Sequence, residues 1–494
     1  MTKSNFFYSW MSDAKHENTD YDQRLNSLFS KRTQKVLASH HLLGNFFHYR
    51  SAIKILGLDY EDVFEEGRLD LNPHKWADFG PLNLQIGPPR GVVKTLKNHT
   101  TVRNLNFYPP NLIPELKEVA ARVIFKRDCG KNFEIVATEG TQASLAYSLL
   151  SLINPGDEVI ITDPGYFFFE PAVIFSGGRV VRIALNKDNN YRLDINSLKK
   201  KITKRTKVII VCDPINPFGT IQTRDELKDI VDVANKNKIV ILNNITHSFH
   251  RLDADAQHFP MSSLQGVDLS NVLVMGGLSH GFGLAGLRIG FLGGNPKIVG
   301  SILATKSIIT RINISLITQY AAIEALKDEK YLRHCESMLK ENLEILRNII
   351  KNNPPLHFIV EPKYGFFVSI DTSGIKASAQ ELTVALLKRK CAVYPPDGLG
   401  DMNSTSYLRI NFSSPYRKHF LWLKNALPEA IKEAESGIYR KEVIKFFQSS
   451  PSLRSKKIIK QLMLSGKTAS GKKRFIILKN NSIINLVNGK RRSR

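Results

Sequence analysis

The chain has 494 residues, 42% of them hydrophobic, long enough for two or three domains and apolar enough for a large core. Its four cysteines, Cys129, Cys212, Cys335 and Cys391, are scattered without a CxxC pair, which argues against a disulfide framework or a zinc site and for a reducing, cytoplasmic compartment. The formal net charge of +25 is uneven: residues 440–494 hold sixteen Lys and Arg against one acidic residue, Glu442.

In chain order, residues 1–75 read as a helical N-terminal extension without the apolar segment of a secretory signal. The stretch "DLNPHKWADFGPLNL" punctuates the entry to the main body with Pro, Gly and Asn. Through residues 76–324, short apolar runs such as "FEIVAT", "EVIITD", "KVIIVCDP", "KIVILNN", "NVLVMG" and "RIGFLGG" alternate with helical segments such as "TQASLAYSLLSLI" and "RDELKDIVDVANKNK". That alternation predicts an α/β domain with a mostly parallel large-domain sheet and helices on both faces. Ligands of such sheets sit beyond the carboxyl ends of the strands, where "TEGT", "DPGY", "DPINPFGT", "NNITH" and "GLSH" all fall. The apolar stretch 271–294 is broken by glycines and Arg288, so it reads as buried sheet and loop, with no membrane span.

Residues 325–439 change pattern. A long helix precedes "PKYGFFVSIDTSG", "AQELTVALLKRK", "CAVYPPDG" and "YLRINFSS", which read as a smaller α+β C-terminal domain. Residues 440–494 form a basic C-terminal extension in which 441–464 is a candidate helix and "RFIILKNNSIINLV" reads as two strands around a polar turn. Such a tail suits nucleic acid, an anionic membrane surface or an acidic partner, or is simply a solvated extension.

The segments "NLQIGPP", "FYPPNLIPEL", "EGTQASL", "NPGDEVIITDPGY", "DPINPFGT", "LSHGFGLAGLRIGFL", "YGFFVSID" and "LRINFSSP", in this order, resemble the class I/II aminotransferases, fold-type-I enzymes dependent on pyridoxal 5'-phosphate (PLP). The resemblance covers roughly residues 80–437. It implies the aspartate-aminotransferase-like fold, a homodimer, an amino-acid-like ligand, and PLP or pyridoxamine 5'-phosphate (PMP) as cofactor. Gly140 and Thr141 match the phosphate cup at a helix N-terminus, whose free N–H groups and dipole suit a dianion. Arg288 matches the phosphate-clamping arginine, and Ser279 a phosphate hydroxyl contact. Tyr166 matches the aromatic face on the pyridine ring, and Asn216 the donor to its phenolic oxygen. Arg409, with backbone at Gly87, matches the substrate carboxylate site. Each also admits a plainer role: a turn for Gly140 and Asn216, a core position for Tyr166, a surface residue for Arg288, a structural salt bridge for Arg409.

The departures cluster. His280 stands where the family has its covalently bonding lysine, and imidazole cannot form the stable linkage that a lysine amine can. With an ordinary pKa near ~6.5 it is still able to move protons. Asn243 stands where an aspartate pairs with the pyridine nitrogen, and a neutral amide cannot supply that charge. Thr246 replaces a tyrosine, and Gly277 a serine common at that position. Phe107 falls where a partner-subunit tyrosine reaches the phosphate, with Tyr108 one place off. Two functional classes follow: an enzyme that holds PLP or PMP non-covalently with His280 as acid or base, and a catalytically inactive pseudoenzyme or binding module. A transaminase using another lysine, such as Lys306, is the weaker third.

Overall fold

In a computed structural model the described residues are 28–39, 46–64, 71–311, 313–401, 405–449, 453–465, 475–479, 482–487 and 490–491. The predicted alternation is realised as one seven-stranded sheet. Its strands are β1 (Glu134–Thr138), β2 (Glu158–Asp163), β3 (Arg179–Ala184), β4 (Thr206–Cys212), β5 (Val240–Asn244), β6 (Val272–Gly277) and β7 (Gly290–Gly294). The spatial order is β1-β7-β6-β5-β4-β2-β3. Only β7 runs against its neighbours. The other six strands therefore end on one side, and the loops that leave those ends converge there. Every residue of β2 and β6 is buried, as expected for strands covered by helices on both faces.

The helices follow from the same local rules. After α1 (Lys31–Leu37), α2 (Tyr49–Leu56) and α3 (Arg90–His99), helix α4 (Thr141–Leu152) starts directly after β1, with Gly140 as its N-cap. Helix α5 (Phe169–Phe175) follows the "DPGY" turn. Helix α6 (Arg224–Lys236) opens with a capping box in which the Thr223 hydroxyl accepts from the Glu226 amide and the Glu226 carboxylate accepts from the Thr223 amide. Two helices follow, α7 (Pro296–Ile309), whose Val299 and Ile302 pack in one core with the sheet residues Val136, Leu273 and Leu292, and α8 (Leu316–Lys327).

The C-terminal part is built on α9 (Glu329–Lys351). The antiparallel strands β8 (His357–Phe358), β9 (Phe367–Asp371) and β10 (Tyr407–Asn411) lie in the order β10-β9-β8, accompanied by α10 (Ala379–Lys388) and α11 (Arg417–Glu435). The short segment Ala77–Asp78 pairs in parallel with Cys391–Ala392, which ties the entry of the main body to this part.

Residues 1–27 of the expected N-terminal helical extension lie outside the described residues. Its remainder includes α1 and α2, and Phe47 packs on two aromatic rings of the C-terminal extension, Phe446 and Phe447, at centroid distances of 5.2 and 6.1 Å. Those rings belong to α12 (Arg440–Ser449), which is followed by α13 (Leu453–Ser465). Arg454 of α13 is buried; it donates to the Asp397 carbonyl at 2.8 Å and forms an ion pair with Asp401. The tail segment forms antiparallel strands, Phe475–Lys479 with Ser482–Val487, the latter pairing on with Lys490–Arg491. All four cysteines are free thiols, and no helix among the described residues is long and apolar enough to cross a membrane.

Candidate functional site

At the β1 end, Gly140 adopts φ 84°, ψ 164°, and no side chain caps α4. The Ala143 amide turns back to the Gly140 carbonyl at 3.0 Å, which leaves the Thr141 and Gln142 amides at the head of a twelve-residue helix for a ligand. Arg288 crosses over this turn. Its guanidinium donates to the Ala285 carbonyl at 3.1 Å and to the Glu139 carbonyl at 3.4 Å. The dihedral requires glycine, and a Cβ at residue 140 would also lie 2.5 Å from the Arg288 Nη2 and push the end of that side chain aside. Ser279 is half-buried on the adjoining loop. At Gly277 a Cβ would stand 2.5 Å from the Thr141 hydroxyl. A serine cannot be accommodated here without moving Thr141.

A network unnoticed in the sequence supports this turn from behind. Lys306 is buried and ion-paired with Glu139, the residue preceding Gly140. Tyr147 donates to the second Glu139 oxygen at 2.9 Å, and Thr310 stands 2.9 Å from the Tyr147 hydroxyl. Lys306 is therefore committed to positioning the turn.

A second cationic centre lies at Arg409, which has no exposed surface at all. Its guanidinium is sandwiched between the rings of Phe367 and Tyr394, each 4.2 Å away. One amino group donates to Asn216 Oδ1 at 3.4 Å and another to the Gly80 carbonyl at 3.5 Å, while Nε has no partner. Among the described residues no carboxylate pairs with it. Burial pulls its pKa down to about 10. The hydroxyls of Tyr394 and Tyr407 beside it are also buried without partners. An uncompensated buried cation flanked by unmet polar atoms is what a carboxylate ligand would satisfy. Gly87 lies exposed at the bend before α3, in the same segment as Leu82.

Between the two arginines stand Tyr166 and His280. Both arginines lower the Tyr166 pKa, against a larger rise from burial. His280 titrates at about 4. Burial is the main cause, with the charges of Arg409 and Arg288 adding to it and a hydrogen bond with the Leu82 backbone offsetting part. The imidazole is neutral at physiological pH. Its ring stacks on Phe366 at 5.9 Å, and its Nδ1 has no hydrogen-bond partner.

Asn243 is fully buried, and its polar ends are engaged inside the protein. Oδ1 accepts from the Met261 amide at 3.0 Å and Nδ2 donates to the Val211 carbonyl at 3.3 Å, which leaves one amide hydrogen free. Thr246 is held in a local turn by hydrogen bonds from its amide and hydroxyl to Asn244 Oδ1. Phe107 and Tyr108 are not in this cleft but on the surface, 66% and 75% exposed.

A model of the family described as aminotransferase class I and II matches residues 80–419. The chain belongs to this family. The aspartate aminotransferase of Pyrococcus abyssi is 27% identical over 347 residues, 68% of this chain and 88% of that protein. The aromatic-amino-acid aminotransferase 2 of Thermococcus litoralis is 27% identical, covering 74% of this chain and 93% of its own length. A solved single mutant of Thermus thermophilus aspartate aminotransferase superposes with a TM-score of 0.68 at 20% identity, covering 83% of this chain and 99% of that one. The fold is thus that of the PLP-dependent aminotransferases, and the cofactor of the family is PLP or its amine form PMP. The uncapped turn of α4, Arg288 and the ring of Tyr166 fit the phosphate and pyridine of such a group.

Two sets of site residues escaped the sequence reading. His247 follows Thr246 directly in "NNITH", and nothing local distinguishes it from a core histidine. Phe46, Phe167, Tyr394, Leu399 and Tyr407 form an apolar cluster by the Arg409 site, assembled from segments far apart in the chain.

Proposed function

We propose that this protein binds PLP or PMP without a covalent bond, together with an amino-acid-like ligand whose carboxylate docks on Arg409, and that it does not perform ordinary lysine-dependent transamination. The observation that carries the reading is Arg409, a fully buried guanidinium with no carboxylate partner among the described residues. In this division of labour residues 76–324 supply the cofactor side and residues 325–439 the carboxylate side.

Gly140, Thr141, Ser279 and Arg288 hold the phosphate, Tyr166 covers the ring, and Asn216 hydrogen-bonds its phenolic oxygen. Asn243 offers the ring nitrogen a neutral amide hydrogen in place of a charge. When bound, the cofactor ring draws electrons from bonds at the carbon that bears the amino group. The surrounding Phe46, Phe167, Tyr394 and Tyr407 exclude water from that carbon, and His280 Nδ1 takes or returns a proton near it. Fluorescence titration with PMP tests the reading: saturable binding that Arg288→Ala weakens supports it, and the absence of binding removes it.

A catalytically silent binding role is the second reading. It is favoured by the internal hydrogen bonds of Asn243, which tie down the amide beside the ring nitrogen. The protein acts as a homodimer in either case. Val102, Leu105, Phe107, Tyr108, Ile308 and Ile309 are exposed apolar residues, and Arg311, two residues past Ile309, caps the Tyr108 ring at 4.7 Å. A patch of this kind is covered by a partner in most proteins.

A further inference from the structure

Two neutral imidazoles, not one, lie within the field of Arg409. The His247 ring meets the His280 ring edge-on, with centroids 4.9 Å apart and planes at 73°. Phe366 and Phe367 wedge the pair in place: His247 lies 5.5 and 5.2 Å from their centroids, and His280 stacks on Phe366. Phe367 is the same ring that carries the Arg409 guanidinium on its face. His247 is 9% exposed, and its Nδ1, like that of His280, is buried without a hydrogen-bond partner. Two unmet nitrogens on adjoining rings are costly in a folded protein and call for a purpose.

The charged and titratable groups that face the pair are all cationic or neutral. Arg409 and Arg288 act on His280, while His280, Arg409 and His250 act on His247. His250 itself lies against the backbone of His280 and Gly281 and is pushed down to about 4 by burial. Among the described residues no carboxylate contributes to either imidazole. An anion arriving on Arg409 would place a negative charge on the cation that acts on both of them. It would cancel part of the field that keeps them neutral and give their free Nδ1 atoms an acceptor.

We propose that His247 and His280 form one proton-holding pair that takes up a proton when a carboxylate docks on Arg409. His247 is the positioning partner: its ring packs edge-on against His280 and holds in place the imidazole that stands at the lysine position, and the proton sits on that imidazole's free Nδ1. The inference rests on the proposed binding of a cofactor and a carboxylate in this cleft. It adds to that reading a charge switch driven by the ligand. Binding of a carboxylate then weakens as pH rises above the range in which the pair can be charged.

The test is calorimetric titration at pH 5.5, in buffers of different ionisation enthalpy, with two probes: phosphopyridoxyl-L-alanine and its decarboxylated analogue phosphopyridoxyl-ethylamine. Phosphate and ring titrate alike in both, so their difference isolates the carboxylate. At this pH a group that titrates at about 4 is almost wholly neutral before binding. The carboxylate probe is expected to draw at least about a third of a proton more than its analogue, and His247→Asn and His280→Asn each to erase that excess. If His247→Asn does not fold, His247→Gln is read in its place, because its longer amide fills more of the gap beside Phe366 and Phe367 and keeps Arg409 as the docking site. Tight binding with equal proton uptake by both probes overturns the pair alone. Binding of neither probe overturns the proposed function beneath it.

Discussion

Replacing Arg409 by methionine separates a structural arginine from one held for a ligand. The fall of its pKa from 12.5 to about 10 corresponds to about 3 kcal/mol that the folded protein gives up to keep the guanidinium charged. The Phe367 and Tyr394 faces return about 1–2 kcal/mol of this, and the two hydrogen bonds of 3.4 and 3.5 Å are too long to return much more. Methionine fills a similar volume without a charge. Arg409→Met is therefore expected to leave the ligand-free protein unchanged or up to about 2 kcal/mol more stable, while binding of a carboxylate-bearing probe falls on the order of 100-fold. Urea denaturation at fixed protein concentration reads the first effect and calorimetry the second. A loss of more than about 2 kcal/mol, with probe binding intact, would show that Arg409 is part of the scaffold and refute the reasoning.

Gly277→Ser, which restores a residue common in the family, should cost about 1–3 kcal/mol of stability and weaken PMP binding, because the new Cβ meets the Thr141 hydroxyl; tighter PMP binding would contradict this. His250 and His280 each titrate at about 4 against 6.5 for a free imidazole. The unfolded chain therefore binds more protons between those values, and stability is lost as pH falls through that window, by about 2 kcal/mol per histidine at pH 4.5 relative to pH 7. Urea midpoints at the two pH values test it, and His250→Gln should lessen the loss. Lys306→Met strands Glu139 behind the phosphate turn, and should lower both thermal stability and PMP affinity; an unchanged affinity would detach Lys306 from the cup. Leu105→Glu, on a residue 67% exposed, should convert a dimer to monomers in sedimentation velocity, and a dimer that survives would place the interface elsewhere.

The strands and the strand-end loops were legible because they depend on local signals: apolar runs of strand length and the Pro, Gly and Asn residues that end them. The tail strands Phe475–Lys479 and Ser482–Val487 were readable for the same reason. Gly140, Arg288, Asn216 and Arg409 could be singled out because each sits in a short motif. The Glu139–Lys306 pair joins residues 167 positions apart, and no sequence period reports such a contact. In the sequence Lys306 was merely a lysine close to the loop; its burial beside Glu139 is what ties it to the cup. His247 shares its stretch with Thr246, yet only the packing of Phe366 and Phe367 shows that its ring meets His280. The occlusion of Arg409 arises from Phe367 and Tyr394, which lie on separate segments, and no residue near 409 announces it.

The account stands or falls on a cofactor held without a lysine. The direct measurement is to saturate the protein with PLP, record the absorbance, reduce with borohydride and map the peptides by mass. The account predicts a saturable chromophore that is released on denaturation, with no lysine peptide carrying a phosphopyridoxyl group. A labelled lysine, Lys306 included, or a spectrum identical to free PLP at every protein concentration, would contradict it.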